Sequence, residues 1–298
     1  MRLAAIDIGS NAARLLICDV LHNAKGEPVF NKINLVRVPL RLGIDVFADG
    51  EISKQRIGMV LQTMKAYKHL MNAYQVDHLL ACATSAMRDA SNAPDLLRKV
   101  KMETGIDIQI ISGGDEAALI YENHYAEHLD TDHSYLYIDV GGGSTETTCF
   151  SKGKLVFKQS FNIGTIRLMK NMISEAEWDA MKESIKRNLK GIPNIAAIGS
   201  GGNINKIFSL SKRKEGKPLS LQTLRDYFKE FNSFSTYERM INYNLREDRA
   251  DVIVHALLIY INVMRWADAD MIYVPKIGLA DGLIRHLYDS LQAEVYPV

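Results

Sequence analysis

Cysteine is scarce and scattered: Cys18, Cys82 and Cys149 are the only three in 298 residues. That excludes a disulfide-stapled scaffold and a cysteine-based zinc cluster, and it fits a reducing compartment. The eight histidines show no metal-ligand spacing, and His255, set in an apolar helical stretch, reads as a satisfied core residue. Net charge is nearly absent, since 36 Lys and Arg face 35 Asp and Glu to leave +1. No global basic field exists for a nucleic acid, so any anion site must be local, built from a few side chains and backbone amides. The aromatics, 8% of the chain, have no periodicity that would stack bases. Long apolar runs are also missing. The greasiest stretch, Val252–Trp266, carries His255, Asn262 and Arg265 and is too short to span a bilayer. The N-terminus, MRLAAIDIGSNAARLLI, reaches an Asp-Gly turn within nine residues and lacks the apolar core of a signal peptide. A cytoplasmic protein with no membrane partner is expected.

What is present is an ordinary globular composition, 47% hydrophobic and 24% charged, over a length that suits two domains. Ile6-Asp7-Ile8-Gly9-Ser10-Asn11 echoes at Ile138-Asp139-Val140-Gly141-Gly142-Gly143, an offset of 139 − 7 = 132 residues. In each copy an apolar strand ends in Asp, enters a small-residue turn and resumes as a second β-prone run, the pattern of a hairpin. One hairpin opens each half, so the reading is two related domains, residues 1–127 and 128–298. Their boundary falls near 125–133, and the last helix is free to pack back on the first domain. Strands and helices then alternate, which argues for α/β layers. The first half gives a strand to Val38, a loop over 41–50, a helix capped by Ser53, a strand at 77–83, a loop over 84–92, a helix containing Pro94, a strand at 106–111 and a helix from Asp115. The second gives helices at 174–189, from Ile204, at 221–231, at 249–266 and at 278–288, with strands at 155–160, 195–198 and 271–274.

Glycine turns let several backbone N–H groups converge, forming nests for phosphate oxygens. The candidates are Gly9-Ser10-Asn11, Gly141-Gly142-Gly143-Ser144 and Gly199-Ser200-Gly201-Gly202. Each of the first two follows an Asp, and a carboxylate beside a phosphate makes sense when Mg²⁺ lies between them. Asp7, Asp139 and Glu146 are therefore candidate metal-holding residues. Glu116 opens a helix after a Gly-Gly turn, where it serves either as a dipole-stabilised helix-start acid or as the base that activates a water. Arg88, in a hydroxyl-rich loop, offers a planar fork for phosphate or a salt bridge to Asp89. Arg14 and Arg167 are weaker candidates, and the run Lys212–Lys217 reads as a solvated loop able to touch the end of a polyanion.

AAIDIGSNAARLLI, ATSAMRDASNA, ISGGDEAALIY, YIDVGGGSTE, IGSGGN and GLADGLI occur in the order seen in the exopolyphosphatase and guanosine pentaphosphate phosphatase (Ppx/GppA) family, which the chain resembles from residue 3 to about 288. The resemblance implies two ribonuclease-H-like domains of the actin, sugar-kinase and heat-shock ATPase superfold around an interdomain cleft. It implies Mg²⁺-dependent hydrolysis of a terminal phosphoanhydride, with Glu116 matching the catalytic base, Glu146 the second essential acid, Asp139 the metal-associated Asp and Arg88 the phosphate-contacting arginine. The substrate would be inorganic polyphosphate or guanosine pentaphosphate, and a homodimer is plausible by resemblance. Two departures stand out: Asp115 replaces the commoner Glu, and GLADGL removes an arginine from that loop. Longer members carry C-terminal helical domains that help to hold long chains, which implies weaker processivity here. An ATP-dependent kinase on the same fold would need an adenosine pocket near Gly199–Asn203, and a non-catalytic polyphosphate or nucleotide sensor would bind without turnover.

Overall fold

The computed structural model describes residues 1–121 and 133–295. Contacts divide the chain into two units, Met1–Asn123 with Leu279–Val298, and His124–Gly278. The boundary expected near 125–133 falls, apart from His133, outside the described residues.

The first unit is built on one mixed sheet. Strands β1 (Arg2–Ile8), β2 (Ala13–His22) and β3 (Pro28–Val38) form an antiparallel meander. Strands β4 (His78–Ala83) and β5 (Ile108–Ile110) add in parallel beside β1, in the order β3-β2-β1-β4-β5. The central strand β1 is buried almost throughout, as expected of a strand covered on both faces. Helices α1 (Leu42–Asp49), α2 (Lys54–Ala73), α3 (Ser85–Asp89), α4 (Ala93–Thr104) and α5 (Gly113–Tyr121) complete the layers. Ser53 caps α2 by accepting from the Arg56 amide, and Val60, Met64, Tyr67 and Met71 recur at helical spacing to form its buried stripe. The Tyr67 hydroxyl donates to the carbonyls of Ala13 and Val36, which satisfies its buried polar end.

The second unit repeats the plan. An antiparallel meander of β6 (Ser134–Val140), β7 (Thr145–Ser151) and β8 (Lys154–Phe161) is followed by α6 (Thr165–Met169) and α7 (Glu175–Asn188). Next come β9 (Ile195–Ser200), α8 (Gly202–Leu210), β10 (Leu219–Ser220), α9 (Leu221–Asn232), α10 (Thr236–Tyr243), α11 (Glu247–Ala250), α12 (Ile253–Trp266) and β11 (Met271–Tyr273). The order β8-β7-β6-β9-β11-β10 matches the first sheet strand for strand, with one antiparallel strand added at the edge. Both units thus have the ribonuclease-H-like arrangement of the actin superfold. The core of the second unit brings α12 together with the sheet and the neighbouring helices, with Ile253, Leu257, Tyr260 and Met264 buried in it. Finally α13 (Leu279–Val295) returns to the first unit and packs on β1, β2 and α5.

Three local expectations change. Residues 41–50 hold the helix α1, entered through Arg41 at φ 53°, and residues 84–92 hold the helix α3. The helix expected over 249–266 is broken at Asp251–Val252, because the Arg239 guanidinium takes the Ala250 carbonyl that a continuous helix would use internally.

Candidate functional site

In the second unit the β6–β7 hairpin closes with Gly141 N–H donating to Ser144 O at 2.9 Å. The amides of Thr165 and Ile166 then bind the carbonyls of Gly141 and Gly142, at 3.0 and 2.8 Å. Arg167 Nε binds the carbonyl of Gly143 at 2.9 Å. A trans peptide sets its N–H opposite its C=O, and there are no cis bonds here. With three successive carbonyls pinned by the start of α6, the N–H groups of Gly142, Gly143 and Ser144 turn the other way, forming an anion nest.

Two carboxylates flank this loop. Asp139, the penultimate residue of β6, lies directly across the ladder from Glu146 in β7. Their oxygens come within 4.8 Å, and Glu146 is 2% exposed. Asp139 is half-buried; a buried and a half-buried carboxylate this close repel each other, and a hard cation with oxygen ligands is the usual resolution. Each acid is oriented by a hydroxyl: Ser160 Oγ donates to Glu146 Oε1 at 2.8 Å and Ser200 Oγ to Asp139 Oδ1 at 2.5 Å.

The third glycine segment adjoins the pair. Gly201 sits at φ 103°, a backbone conformation that favours glycine, and a Cβ there would press on Asp139 Oδ1 at 3.2 Å. Arg249 Nη1 holds the Gly202 carbonyl at 2.5 Å, and the Tyr260 hydroxyl donates to the Ser200 carbonyl. Tyr260 is raised well above the ordinary tyrosine range by burial and by the Asp139 charge, so it stays a protonated donor. Gly199 lies inside β9, where a Cβ would stand 2.7 Å from the end of the Ile272 side chain, so packing by itself favours glycine there.

The first unit has the same hairpin with different chemistry. Gly9 N–H donates to Ala12 O at 3.0 Å, and the amides of Gly43 and Arg41 bind the carbonyls of Ser10 and Asn11, each at 2.9 Å. The amides of Asn11 and Ala12 are thereby turned outward, as in the second unit. Asp7, however, is opposite Arg14, and the two form an ion pair at 2.5 Å. Parallel strands β1, β4 and β5 deliver Gly9–Asn11, Thr84–Arg88 and Ser112–Glu116 to one sheet edge, where ligand sites of α/β folds lie. Ser10 Oγ meets Ser85 Oγ at 2.8 Å, and Arg88 Nη1 donates to Ile111 O at 3.0 Å. Ser112 and Asp115 cap α5 reciprocally, with Ser112 Oγ donating to Asp115 Oδ2 at 2.6 Å and the Asp115 amide to Ser112 Oγ at 3.1 Å. The replacement of Glu by Asp at 115 thus preserves a cap, and Glu116, 8% exposed, is carried in the first turn. Burial, then the charges of Asp7 and Glu116, push the Cys82 thiol up to about 11.

The Ppx/GppA phosphatase family model matches residues 21–291. The chain belongs to this family. Exopolyphosphatase 1 of Mycobacterium bovis is 25% identical over 97% of this chain and 89% of that protein. A bifunctional 3-dehydroquinate synthase/phosphatase of Fusobacterium nucleatum is 29% identical over 92% of this chain, which spans 44% of that relative's length. A guanosine-5'-triphosphate,3'-diphosphate pyrophosphatase of Pseudoalteromonas translucida is 25% identical over 97% of this chain, which spans 59% of it. The solved structure of an exopolyphosphatase from Cytophaga hutchinsonii superposes with a TM-score of 0.83 at 25% identity, covering 97% of this chain and 98% of that one.

As a Ppx/GppA-family chain the protein is a hydrolase, and the family's ordered motifs fall on the elements just described. Asp139, Glu146, Gly141–Ser144 and Ser200–Gly202 converge on one edge of the second sheet, while Asp7, Gly9–Asn11, Arg88 and Glu116 share the corresponding edge of the first. Sequence reasoning missed Ser160, Tyr260 and Arg249, which act on the loops from distant elements. Arg14 and Arg167, weighed as phosphate ligands, bind Asp7 and the Gly143 carbonyl. Among the described residues no helix is long and apolar enough to cross a membrane.

Proposed function

We propose that this enzyme hydrolyses the terminal phosphoanhydride of inorganic polyphosphate and releases orthophosphate. The observation that carries the reading is the Asp139–Glu146 pair beside a loop whose amides turn outward. An anion nest next to two acids defeats itself unless a cation accompanies the phosphate. Both acids are hard oxygen donors held in place by serine hydroxyls, which suits Mg²⁺. Bound by Asp139 and Glu146, Mg²⁺ would offset charge on the transferring phosphoryl group.

The chain's own groups do the rest. Glu116 orients a water and takes its proton as the oxygen attacks the terminal phosphorus. The new P–O bond forms in line with the breaking bridging bond, and the shortened chain leaves with the electron pair. The glycine-loop amides and Arg88 hold the phosphates, so positioning and electrostatics supply most of the rate. Asp7, already paired with Arg14, is assigned a structural role in this reading.

Removal of the γ-phosphate from guanosine pentaphosphate is the second reading, favoured by the similarity to the Pseudoalteromonas protein. Phosphate release with Mg²⁺ should be measured for wild type and Glu116→Gln on short and long polyphosphate, guanosine pentaphosphate and ATP. Release from polyphosphate that disappears in the variant supports the reading. Release from guanosine pentaphosphate alone moves the enzyme to the second reading, ATP turnover revives a kinase-like or ATPase activity, and binding without release from any substrate indicates a sensor.

A further inference from the structure

Lys212, Arg213, Lys214 and Lys217 crowd into the seven-residue segment 211–217 between α8 and β10, with Glu215 as the one acid. All five charged side chains are exposed. The segment is a folded turn, set by left-handed Lys212 (φ 54°) and Gly216 (φ 77°) and closed by the Lys217 amide on Lys214 O at 3.1 Å. Glu215 pairs with Lys276 Nζ at 3.7 Å, fastening the turn to the segment that follows β11.

Strand register fixes where this turn lies. β10 runs antiparallel to β11 with Leu219 opposite Ile272, so the chain entering β10 lies past the C-terminal end of β11. β11 is parallel to β9, whose C-terminal end leads into Gly201. The basic turn therefore stands on the same sheet edge as the glycine loops, two strand spacings or about 10 Å from β9. Five cations against one acid give this corner +4, while the whole chain carries only +1. The remaining residues must then be net negative, so the turn is the local attractor for a polyanion.

We infer that the turn 211–217, with Lys276, anchors the phosphate chain of an extended inorganic polyphosphate beyond its reacting end. The inference rests on the polyphosphate reading of the site. A nucleoside would need an aromatic or aliphatic platform, and the segment Ser-Lys-Arg-Lys-Glu-Gly-Lys offers none. Lysines are point charges on flexible stems, suited to a uniform polyanion that presents no fixed geometry.

The test is the Lys214→Glu/Lys217→Glu variant, with unchanged thermal unfolding as the check on folding. Calorimetric binding of long-chain polyphosphate, tripolyphosphate and guanosine pentaphosphate is measured at several salt concentrations with Mg²⁺ replaced by Ca²⁺ to slow turnover. Affinity for the long chain should fall about 10-fold or more in the variant, with a shallower salt dependence, while tripolyphosphate binding stays within about two-fold. Equal losses for the long chain and tripolyphosphate, no loss for the long chain, or wild-type binding no tighter for the long chain than for tripolyphosphate would each overturn the anchor. A loss confined to guanosine pentaphosphate would overturn it in favour of a nucleotide contact. Phosphate release is assayed separately. Absent release with the binding difference intact would remove the hydrolytic reading and leave the anchor standing.

Discussion

Ser160 donates its hydroxyl to Oε1 of Glu146 across the β7–β8 ladder at 2.8 Å, fixing one member of the carboxylate pair. Ser200 does the same for Asp139 from β9. A carboxylate that holds a metal binds it more tightly when a neighbour limits its rotation. Ser160→Ala should raise the Mg²⁺ concentration for half-maximal phosphate release about 10-fold, with a smaller fall in kcat at saturating Mg²⁺. An unchanged Mg²⁺ titration would remove Glu146 from the metal site.

Gly282 of α13 lies so close to α5 that a Cβ would come within 1.9 Å of the Leu119 carbonyl oxygen. α5 carries Glu116 three residues before Leu119, so this contact sets the helix that bears the proposed base. Gly282→Ala should cost about 3 kcal/mol by forcing the helices apart and should lower kcat. Gly58, inside α2 with nothing within 4 Å of its Cβ position, is the control. Gly58→Ala should stabilise by about 1 kcal/mol, read by urea unfolding of both variants.

The hairpins and their glycine turns were legible because Asp-Gly turns between apolar runs leave few alternatives. The residues that orient Glu146 were not. A two-residue turn at Lys152-Gly153 pairs Ser151 with Lys154, and plain counting back along the strands would put Glu146 opposite Gln159. A bulge between Cys149 and Phe150 shifts the register by one and brings Ser160 there instead. Helix α1 escaped for another reason: it has eight residues, Gly43 near its start and no side-chain N-cap. It is held by tertiary contacts, the amides of Arg41 before it and Gly43 in its first turn serving the loop carbonyls of Asn11 and Ser10. Tyr260 and Arg249 act across 60 and 47 residues of sequence, distances over which only the fold decides contact.

His255 offers a test in pH. Burial, then the Arg239 charge, lowers its pKa below the ordinary 6.5. The unfolded chain therefore takes up a proton at this site at higher pH than the native protein does. Stability contributed by neutral His255 is complete well above pH 6.5 and falls as pH drops through that value toward the lowered native pKa. His255→Gln should lose less stability than wild type between pH 7.5 and about 5.5, measured by urea unfolding at each pH. Parallel losses would show that His255 does not carry this part of the acid sensitivity.

The same ladder position holds opposite chemistry in the two hairpins: Asp7 faces Arg14, whereas Asp139 faces Glu146. An acid opposite a base closes on itself, and an acid opposite an acid calls for a cation from outside. Asp7 is only 3% exposed at its side chain, so removing its partner strands a buried charge. Arg14→Met should cost about 3 kcal/mol, and the Asp7→Asn/Arg14→Met double variant should lose less than the single one, because the stranded charge is gone. Saturating Mg²⁺ should leave the Arg14→Met deficit unchanged if Asp7 is structural. Recovery of stability with Mg²⁺ would instead give Asp7 a place among the metal-holding acids, because only a cation that binds the vacated carboxylate can replace the guanidinium there.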